Sequence, residues 1–266
     1  MSFLKKIRTW LQEPRLLGKN PDSVEFLDVH RTVLQEKPMM REVFTEFYDA
    51  CINLDKRYFT GTGKRVEIGA GVSFFKKVYP EIVSTDIKPT PHLDMVVDAL
   101  NMPFENNSIR AIYGINCFHH FPNPDKFFNE LERVLEPGGG CVLIDPYHGP
   151  VASVFYKNVF DTEDFNKEQK EWTNDGLGVM MDANQALSYI VFTRDADKLR
   201  AAHPDLEIVL QKPLTNYMRY LMCGGLNFRQ LMPTFMSPLL KFKEWLLSPL
   251  ATVFGLHHVI VIRKRK

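Results

Sequence analysis

Apolar residues recur along this chain with two different spacings, and the change between them falls near residue 60. Before that point the spacing is helical over residues 37–58 and over one face of the N-terminal segment, which carries Phe3, Leu4, Ile7, Trp10 and Leu11. After it, short apolar runs alternate with helical segments. We therefore expect helices at residues 72–79 and 124–135, and strands at residues 65–69, 82–86, 95–97, 109–115, 140–145, 206–213 and 257–263.

Strands that alternate with helices in this way form βαβ units, in which the strands run parallel and helices cover the sheet. The sequence thus predicts an α/β fold behind an N-terminal helical extension at residues 1–60. Two later segments interrupt the alternation. Residues 149–194 are irregular and aromatic, which predicts an inserted lid, and residues 223–254 hold an apolar helix that Pro238 and Pro249 interrupt.

Composition favours a soluble globular protein, since 45% of the 266 residues are hydrophobic and 24% are charged. The formal net charge of +1 gives no reason to expect nucleic acid as a partner. The four cysteines form no C-x-x-C pair and have no histidine at metal spacing, so we expect reduced thiols, a cytoplasmic protein and no metal site. No apolar run approaches the roughly 20 residues of a membrane-spanning helix, and the basic N-terminus lacks the pattern of a secretion signal.

Charge is unevenly distributed along the chain. Residues 161–175 are rich in acids, and the chain ends in four basic residues at 263–266. Runs of this kind are usually solvated, so we expect an exposed acidic face and a frayed basic tail.

The strongest chemical signal is Val-Glu-Ile-Gly-Ala-Gly at residues 66–71. Its Gly-x-Gly lets the backbone turn tightly from a strand into a helix and lie against a ligand. The carboxylate of Glu67, just before the turn, would repel the phosphates of a dinucleotide and suits a ligand with a positive centre. The pattern therefore favours S-adenosylmethionine, whose sulfonium and ammonium groups are cationic.

More polar residues fall at the ends of successive predicted strands, where open parallel sheets bind their ligands. Asp86 ends the second strand, and a carboxylate there can accept hydrogen bonds from ribose hydroxyls. Asp98 and Ala99 follow the third strand, and Asn116 and Cys117 follow the fourth. Each signal alone is weak, because a strand-terminal Asp is often only a helix N-cap, but their order and spacing together are specific.

In this arrangement residues 64–145 resemble the class I S-adenosylmethionine-dependent methyltransferases. The matching stretches are Val-Glu-Ile-Gly-Ala-Gly, Thr-Asp-Ile, Val-Val-Asp-Ala-Leu, Phe-His-His-Phe and Leu-Glu-Pro-Gly-Gly-Gly. The resemblance implies a Rossmann-like, mostly parallel sheet of seven strands with helices on both faces, and a methyltransferase domain at residues 61–266 with insertions at about 149–194 and 223–254. One departure is Ser73, where the family often has a third glycine. The distal part is similar, more weakly, to a bacterial subset linked to cell-surface polysaccharide or glycolipid synthesis.

The same resemblance assigns a cofactor, S-adenosylmethionine, to one set of residues: Glu67, Gly69, Ala70, Gly71, Asp86, Ile87, Asp98, Ala99, Leu100, Asn116 and Cys117. It implies that Glu67 and the glycines line the methionine part and that Asp86 holds the ribose. Asp98 with Ala99 would meet the adenine, and Asn116 with Cys117 would form the floor near the sulfonium.

Methyl transfer is an in-line displacement, in which the protein aligns the nucleophile and excludes water. If the acceptor atom is a hydroxyl, a general base helps, and histidine is the side chain best matched to neutral pH. His119 and His120 follow the fourth strand and are therefore the candidate catalytic residues. For both, a role in capping the next turn or packing under Phe121 stays open.

The acceptor is not specified by these motifs. We expect a small-molecule, glycan or lipid-linked acceptor, methylated at a hydroxyl. The basic N-terminus and the apolar segment around Trp245, which Lys241 and Lys243 flank, would also suit peripheral contact with the inner face of a membrane. Because apolar stripes are usually core, we expect both to pack on the sheet or on each other.

Two alternatives stay open. A nicotinamide-dependent oxidoreductase shares the fold, but it predicts a third glycine near Phe74 and leaves Glu67 unexplained. A non-catalytic, methyltransferase-like binding subunit would have lost cofactor residues, whereas the glycines and acids are all present. The sequence therefore favours an enzyme.

Overall fold

The structure is a computed structural model that describes residues 9–160, 163–173 and 183–266. Its strands are β1 Lys64–Ile68, β2 Ile82–Asp86, β3 Met95–Val96, β4 Ile109–Ile115, β5 Leu135–Pro146, β6 Leu206–Pro213 and β7 His257–Lys264. They form one seven-stranded sheet in the order β3-β2-β1-β4-β5-β7-β6. β7 lies antiparallel to β5 and β6, and the other neighbours are parallel. The predicted Rossmann-like fold is confirmed.

The helices of the described residues lie before, between and after these strands. They are α1 Val24–Glu36, α2 Pro38–Tyr58, α3 Phe75–Val78, α4 Pro124–Val134, α5 Pro150–Asn158, α6 Leu187–Tyr189, α7 Ala196–Ala202, α8 Tyr217–Met222, α9 Ser237–Leu246 and α10 Ala251–Phe254. A π-helical turn, Ile190–Arg194, joins α6 to α7, and short 3-10 turns lie at Pro14–Leu16, Phe118–His120, Thr234–Met236 and Ser248–Leu250.

Two predicted helix boundaries are wrong. The helix predicted over residues 72–79 is only the four-residue α3, because the chain uses the preceding residues to turn away from β1. Pro238 does not interrupt the apolar helix at residues 237–246, because it lies in the first turn of α9, where its missing N–H is not needed.

Side chains of the central strands alternate between two hydrophobic cores, one on each face of the sheet. On one face Ile112 and Leu143 pack with α4 and the π-helical turn. On the other face Tyr113 and Val142 pack with α2. Because both faces are covered, the sheet is the middle layer of three.

The N-terminal helix α2 is fixed to the sheet by polar contacts as well as by packing. Asp55, near its C-terminal end, is fully buried and accepts hydrogen bonds from three side chains of β1 and β4. Arg65 Nε donates at 2.7 Å, Arg110 Nε at 2.8 Å and Tyr113 Oη at 2.9 Å. A buried carboxylate is tolerated only when it is paired in this way.

The helix α9 buries Ser237, Leu240 and Glu244 against the rest of the protein. Glu244 is buried and accepts from Arg219 Nε at 2.7 Å, and the Arg219 guanidinium also donates to Glu46 of α2 at 2.6 and 2.8 Å. Four large apolar side chains of α9 point to solvent instead: Leu239, Phe242, Trp245 and Leu246. The expectation that this stripe packs in the core is wrong. Of the N-terminal stripe, residues 1–8 lie outside the described residues, and Trp10 is exposed.

The structure also bears on the expectations for the basic C-terminal run, the cysteines and membrane-spanning helices. Arg263 and Lys264 are not a frayed tail, because β7 extends through both and Arg263 Nε donates to Glu207 at 2.7 Å. All four cysteines are free and buried. Within the described ranges, no helix is both long and apolar enough to cross a membrane.

Candidate active site

The backbone after β1 adopts a turn that requires glycine. Gly69 has φ +61° and Gly71 has φ +44°, both in the left-handed region. A Cβ on Gly69 would lie 2.6 Å from Cys117 Cβ, so the turn and the segment after β4 fit only without that atom. Asp86, at the end of β2, accepts from the Gly71 N–H at 2.8 Å and from the Lys88 N–H at 2.8 Å. The acid therefore fixes the turn to the second strand.

Glu67, the acid before the turn, is buried with little to neutralise it. It is 1% exposed, and Ser84 Oγ donates to its Oε2 at 3.2 Å. Burial raises the pKa of Glu67 to about 7, against smaller lowering effects of the Ser73 and Ser84 hydroxyls. A cationic group placed next to this carboxyl would favour its ionised form, so the site suits a positively charged ligand.

Ser73 lies at the position where the family often has a third glycine. Its Oγ accepts from the Phe75 N–H at 3.0 Å and lies 3.1 Å from Tyr48 Oη, which in turn accepts from the Phe74 N–H at 3.1 Å. The hydroxyl thus starts α3 and ties the turn to α2. The part that Tyr48 plays in holding the turn was not predicted, because α2 precedes every matching motif.

One cavity of about 470 Å³ lies beyond the carboxyl ends of β1, β2 and β4. Its wall contains every residue that the resemblance assigns to the cofactor, from Glu67 to Cys117. A second part of the wall is apolar and comes from later segments: Phe155, Phe160, Leu226, Phe228 and Leu231, with Leu27 of α1. The cavity therefore joins a polar, glycine-lined half to an apolar half.

Asn116, directly after β4, carries a buried amide oxygen. Its φ of +51° is uncommon for a residue other than glycine, and its N–H donates to Ile144 O at 2.7 Å. Its Oδ1 is buried in the cavity wall and has no hydrogen-bond partner among the described residues. A strained backbone and an unpaired amide oxygen at one residue are typical of a ligand site.

His119 lines the cavity and lies between two carboxylates. Its Nδ1 is 2.8 Å from Asp145 Oδ1 and its Nε2 is 3.2 Å from Glu163 Oε2. Burial alone would lower the pKa of His119, but the charges of Asp145 and Glu163 raise it to about 10. The ring therefore carries its proton at neutral pH and is a poor general base.

His120 is the more exposed histidine of this pair. It is half-buried, lines the cavity, and its ring centroid lies 4.1 Å from that of His119. The positive charge of His119 stays next to it.

His119, His120 and Glu163 also form the one group of three or more potential metal ligands found among the described residues, with ligand atoms within 4.8 Å of one another. The sequence predicted no metal. Because His119 already has a carboxylate on each nitrogen, its ring could hold a cation only by giving up the Glu163 contact and a proton. We interpret the group as an ion-paired histidine.

Sequence analysis missed the residues that come from the later segments. Glu163 lies in the acid-rich run expected to be a solvated face, yet its side chain is only 9% exposed because it faces His119. The remaining described residues of that run lie between positions 164 and 173, and 161, 162, 174 and 175 lie outside the described residues. Nothing in the local pattern marks Glu163, since its partner is 44 positions away in the sequence.

The part of the chain that carries the glycine turn is similar to known proteins. Residues 66–143 match the family model described as "Methyltransferase domain", and this segment of the chain is a class I methyltransferase domain. A sterol 4-C-methyltransferase of Caenorhabditis elegans is 31% identical over 77 residues, which are 29% of this chain and 19% of that protein. A chloroplastic tocopherol O-methyltransferase of Arabidopsis thaliana is 36% identical over 53 residues, 20% of this chain and 15% of that protein. The matched part is thus less than a fifth of either relative.

Among solved structures, a geranyl diphosphate C-methyltransferase from Streptomyces coelicolor A3(2), in complex with Mg²⁺, geranyl diphosphate and S-adenosyl-L-homocysteine, aligns with 96% of this chain and 89% of its own. The TM-score is 0.49 and the sequence identity 12%.

Proposed function

We propose that this protein, whose residues 66–143 are a class I methyltransferase domain, transfers a methyl group from S-adenosylmethionine to a hydroxyl of a lipophilic acceptor. The observation that carries the proposal is the single cavity that joins the glycine turn and its acids to an apolar chamber. His119 and His120 lie where the two parts meet.

The residues present fit the cofactor on three observations. Gly69 lies so close to Cys117 that a side chain would not fit, and the buried Glu67 carboxyl suits a cation. Asn116 Oδ1 has no hydrogen-bond partner in the part of the chain that the structure describes. We assign the ammonium side to Glu67 and the glycine turn, the ribose to Asp86, and the adenine to Ile87 and the segment Asp98, Ala99 and Leu100. When bound, the cofactor supplies the methyl group on a cationic sulfur. These residues orient it and exclude water.

The apolar part of the cavity supports a lipophilic acceptor rather than a free sugar. Phe155, Phe160, Leu226 and Phe228 present rings and aliphatic chains, which stabilise an apolar ligand by removing both surfaces from water. The sterol and tocopherol named in the two relatives are lipophilic, which agrees with this choice. We propose that the segments at residues 149–194 and 223–254 form the acceptor side of the domain, and that a lipid-linked glycan would enter with its lipid part in this chamber.

We propose that His120 takes the acceptor hydroxyl proton, while His119 stays protonated. In this arrangement His119 acts as a positioning residue: Asp145 and Glu163 hold its ring, and its charge lies beside the oxygen that becomes negative. The two histidines named as candidates therefore receive different roles.

Cofactor binding is tested at the glycine turn. Gly69→Ala should reduce S-adenosylmethionine affinity at least tenfold, because the new Cβ would meet Cys117 Cβ at 2.6 Å. Gly18→Ala is the matched control: its φ is +76°, and no described atom lies within 4 Å of the added carbon. Isothermal titration of both variants measures the difference. Equal affinity in Gly69→Ala and wild type would refute the assignment.

The base is tested by His120→Ala, with turnover followed as release of S-adenosylhomocysteine over a panel of sterols, long-chain phenols and lipid-linked glycans. Removing a general base typically costs 10²–10⁴-fold in rate, roughly, while cofactor affinity should not change. His92→Ala, at an exposed histidine, serves as control. Full turnover by His120→Ala would remove the proposed role.

We also propose that the protein binds membrane surfaces peripherally through α9. Leu239, Phe242, Trp245 and Leu246 are exposed, and Lys241 and Lys243 lie among them. A helix that exposes large apolar side chains beside lysines is typical of an interfacial helix. Such contact would place the protein where a lipophilic acceptor is found.

A further inference from the structure

Gln185 carries a buried side-chain amide. It lines the cavity and is 1% exposed, and neither its Oε1 nor its Nε2 has a hydrogen-bond partner among the described residues. A buried polar group without a partner destabilises the fold, and the large majority of buried side-chain polar atoms therefore have one. Gln185 is an exception that lies in the wall of the proposed acceptor site.

Its neighbour Asn184 shows what a structural amide looks like in the same place. Asn184 is equally buried, and its Oδ1 accepts from the Asn166 and Ala186 N–H groups at 3.0 and 2.9 Å. Its Nδ2 donates to Asn166 O and Gln169 Oε1, both at 2.8 Å. Asn184 thus orders the segment, which leaves no such role for Gln185.

The backbone holds Gln185 at the polar end of the apolar chamber. The Gln185 N–H donates to Asp164 O at 2.8 Å, next to Glu163, and the Asn184 N–H donates to His119 O at 3.2 Å. Gln185 is therefore fixed between the two segments that supply His119 and its carboxylate partner. Since its amide has no partner among the described residues, the cavity that it lines is where a ligand can supply one.

We infer that Gln185 forms a polar subsite that binds a second hydroxyl or a carbonyl of the acceptor, next to the hydroxyl that is methylated. The inference rests on the proposed function and names the acceptor class more closely: an apolar body with two neighbouring polar groups. An amide both donates and accepts, so it matches a hydroxyl in both roles. A site built on such a pair rejects analogues that lack the group, because the amide is then left unpaired. Gln185 thus determines specificity.

The first test needs no acceptor. Gln185→Leu keeps the approximate size and removes an unpaired amide, so the melting temperature of the free protein should stay unchanged or rise by roughly 2–4 °C. Asn184→Leu is the matched variant one residue away and should lower the melting temperature clearly, since it removes four hydrogen bonds. If Gln185→Leu lowers the melting temperature as Asn184→Leu does, Gln185 is structural and the inference is wrong.

The second test measures recognition with two probes, 1,2-decanediol and 1-decanol, titrated in the presence of S-adenosylhomocysteine. Wild type should bind the diol roughly tenfold more tightly than the alcohol, and Gln185→Leu should bind both alike. No preference in wild type, or the same preference in both proteins, would overturn the subsite. Titration of S-adenosylmethionine on the same samples distinguishes failure of the proposed function from failure of the inference about Gln185. If wild type does not bind S-adenosylmethionine, the proposed function is wrong. If it binds S-adenosylmethionine and Gln185→Leu keeps the diol preference of wild type, only the role of Gln185 is wrong.

Discussion

Glu67 is the last polar side chain before the glycine turn, and burial raises its pKa to about 7, with the Ser73 and Ser84 hydroxyls opposing. The same carboxyl in an unfolded chain has a pKa near 4.5. The native protein therefore binds one more proton than the unfolded chain between these values. Stability from this group is present below pH 4.5 and is lost as the pH rises to about 7.

Glu67→Gln should remove this pH dependence. The two proteins should have similar free energies of unfolding near pH 4.5, and by pH 8 the variant should be more stable by about 3 kcal/mol, because wild type must then bury a charge. Chemical denaturation across this range measures the difference. Parallel curves for the two proteins would show that Glu67 ionises normally in the fold. Adding S-adenosylmethionine should reduce the difference, since a cation favours the ionised carboxyl.

How far the sequence predicts the site depends on where each residue lies relative to the strands. Asp86 and Asn116 end strands, and strand ends of a parallel sheet meet at one edge, so pattern alone placed them together. Glu163 and Gln185 come from a segment without that regularity. Their positions depend on tertiary contacts with His119 and Asp164, which leave no periodic trace in the sequence.

At the scale of elements, the sheet was predictable and the orientation of α9 was not. All seven strands end within one residue of the predicted position, because buried strands need continuous apolar runs. In α9 the apolar stripe was correctly recognised as helical, but it faces solvent. The reason is the Arg219 guanidinium, which holds Glu244 of α9 and Glu46 of α2 and so turns the acidic side inward.

Arg219→Leu should therefore destabilise the protein by roughly 3–5 kcal/mol, because Glu244 would lose its cation in a buried site and Glu46 would keep only Lys241. Arg200→Leu is a matched control, since Arg200 pairs with Asp197 on the surface and exposed pairs contribute little. Urea denaturation of the two variants gives both values. A cost for Arg219→Leu below that of the control would mean that α9 is held by packing alone.

At the scale of the whole molecule, the apolar half of the cavity and the exposed face of α9 follow one another along the chain. Leu231 lines the cavity and is itself 46% exposed, and Phe235, 79% exposed, lies between it and α9. Along the chain, exposed apolar residues thus follow the cavity wall as far as Leu239, Phe242, Trp245 and Leu246. We propose that a lipophilic acceptor leaves a membrane next to α9 and enters the cavity along this segment.

Membrane contact predicts that the double variant Phe242→Ser, Trp245→Ser separates lipid binding from stability. Wild type should co-sediment with vesicles of phosphatidylglycerol and phosphatidylcholine more than with phosphatidylcholine alone, because Lys241 and Lys243 favour anionic lipid. The double variant should bind these vesicles at least roughly tenfold more weakly, since it lacks two rings that would enter the lipid interface. Its free energy of unfolding should change by about 0.5 kcal/mol at most, because Phe242 and Trp245 are 57% and 69% exposed.

Val24→Ser, at an exposed valine of α1, should leave vesicle binding unchanged. If wild type does not co-sediment, or if the double variant binds as wild type does, α9 does not contact membranes and its apolar face requires another partner.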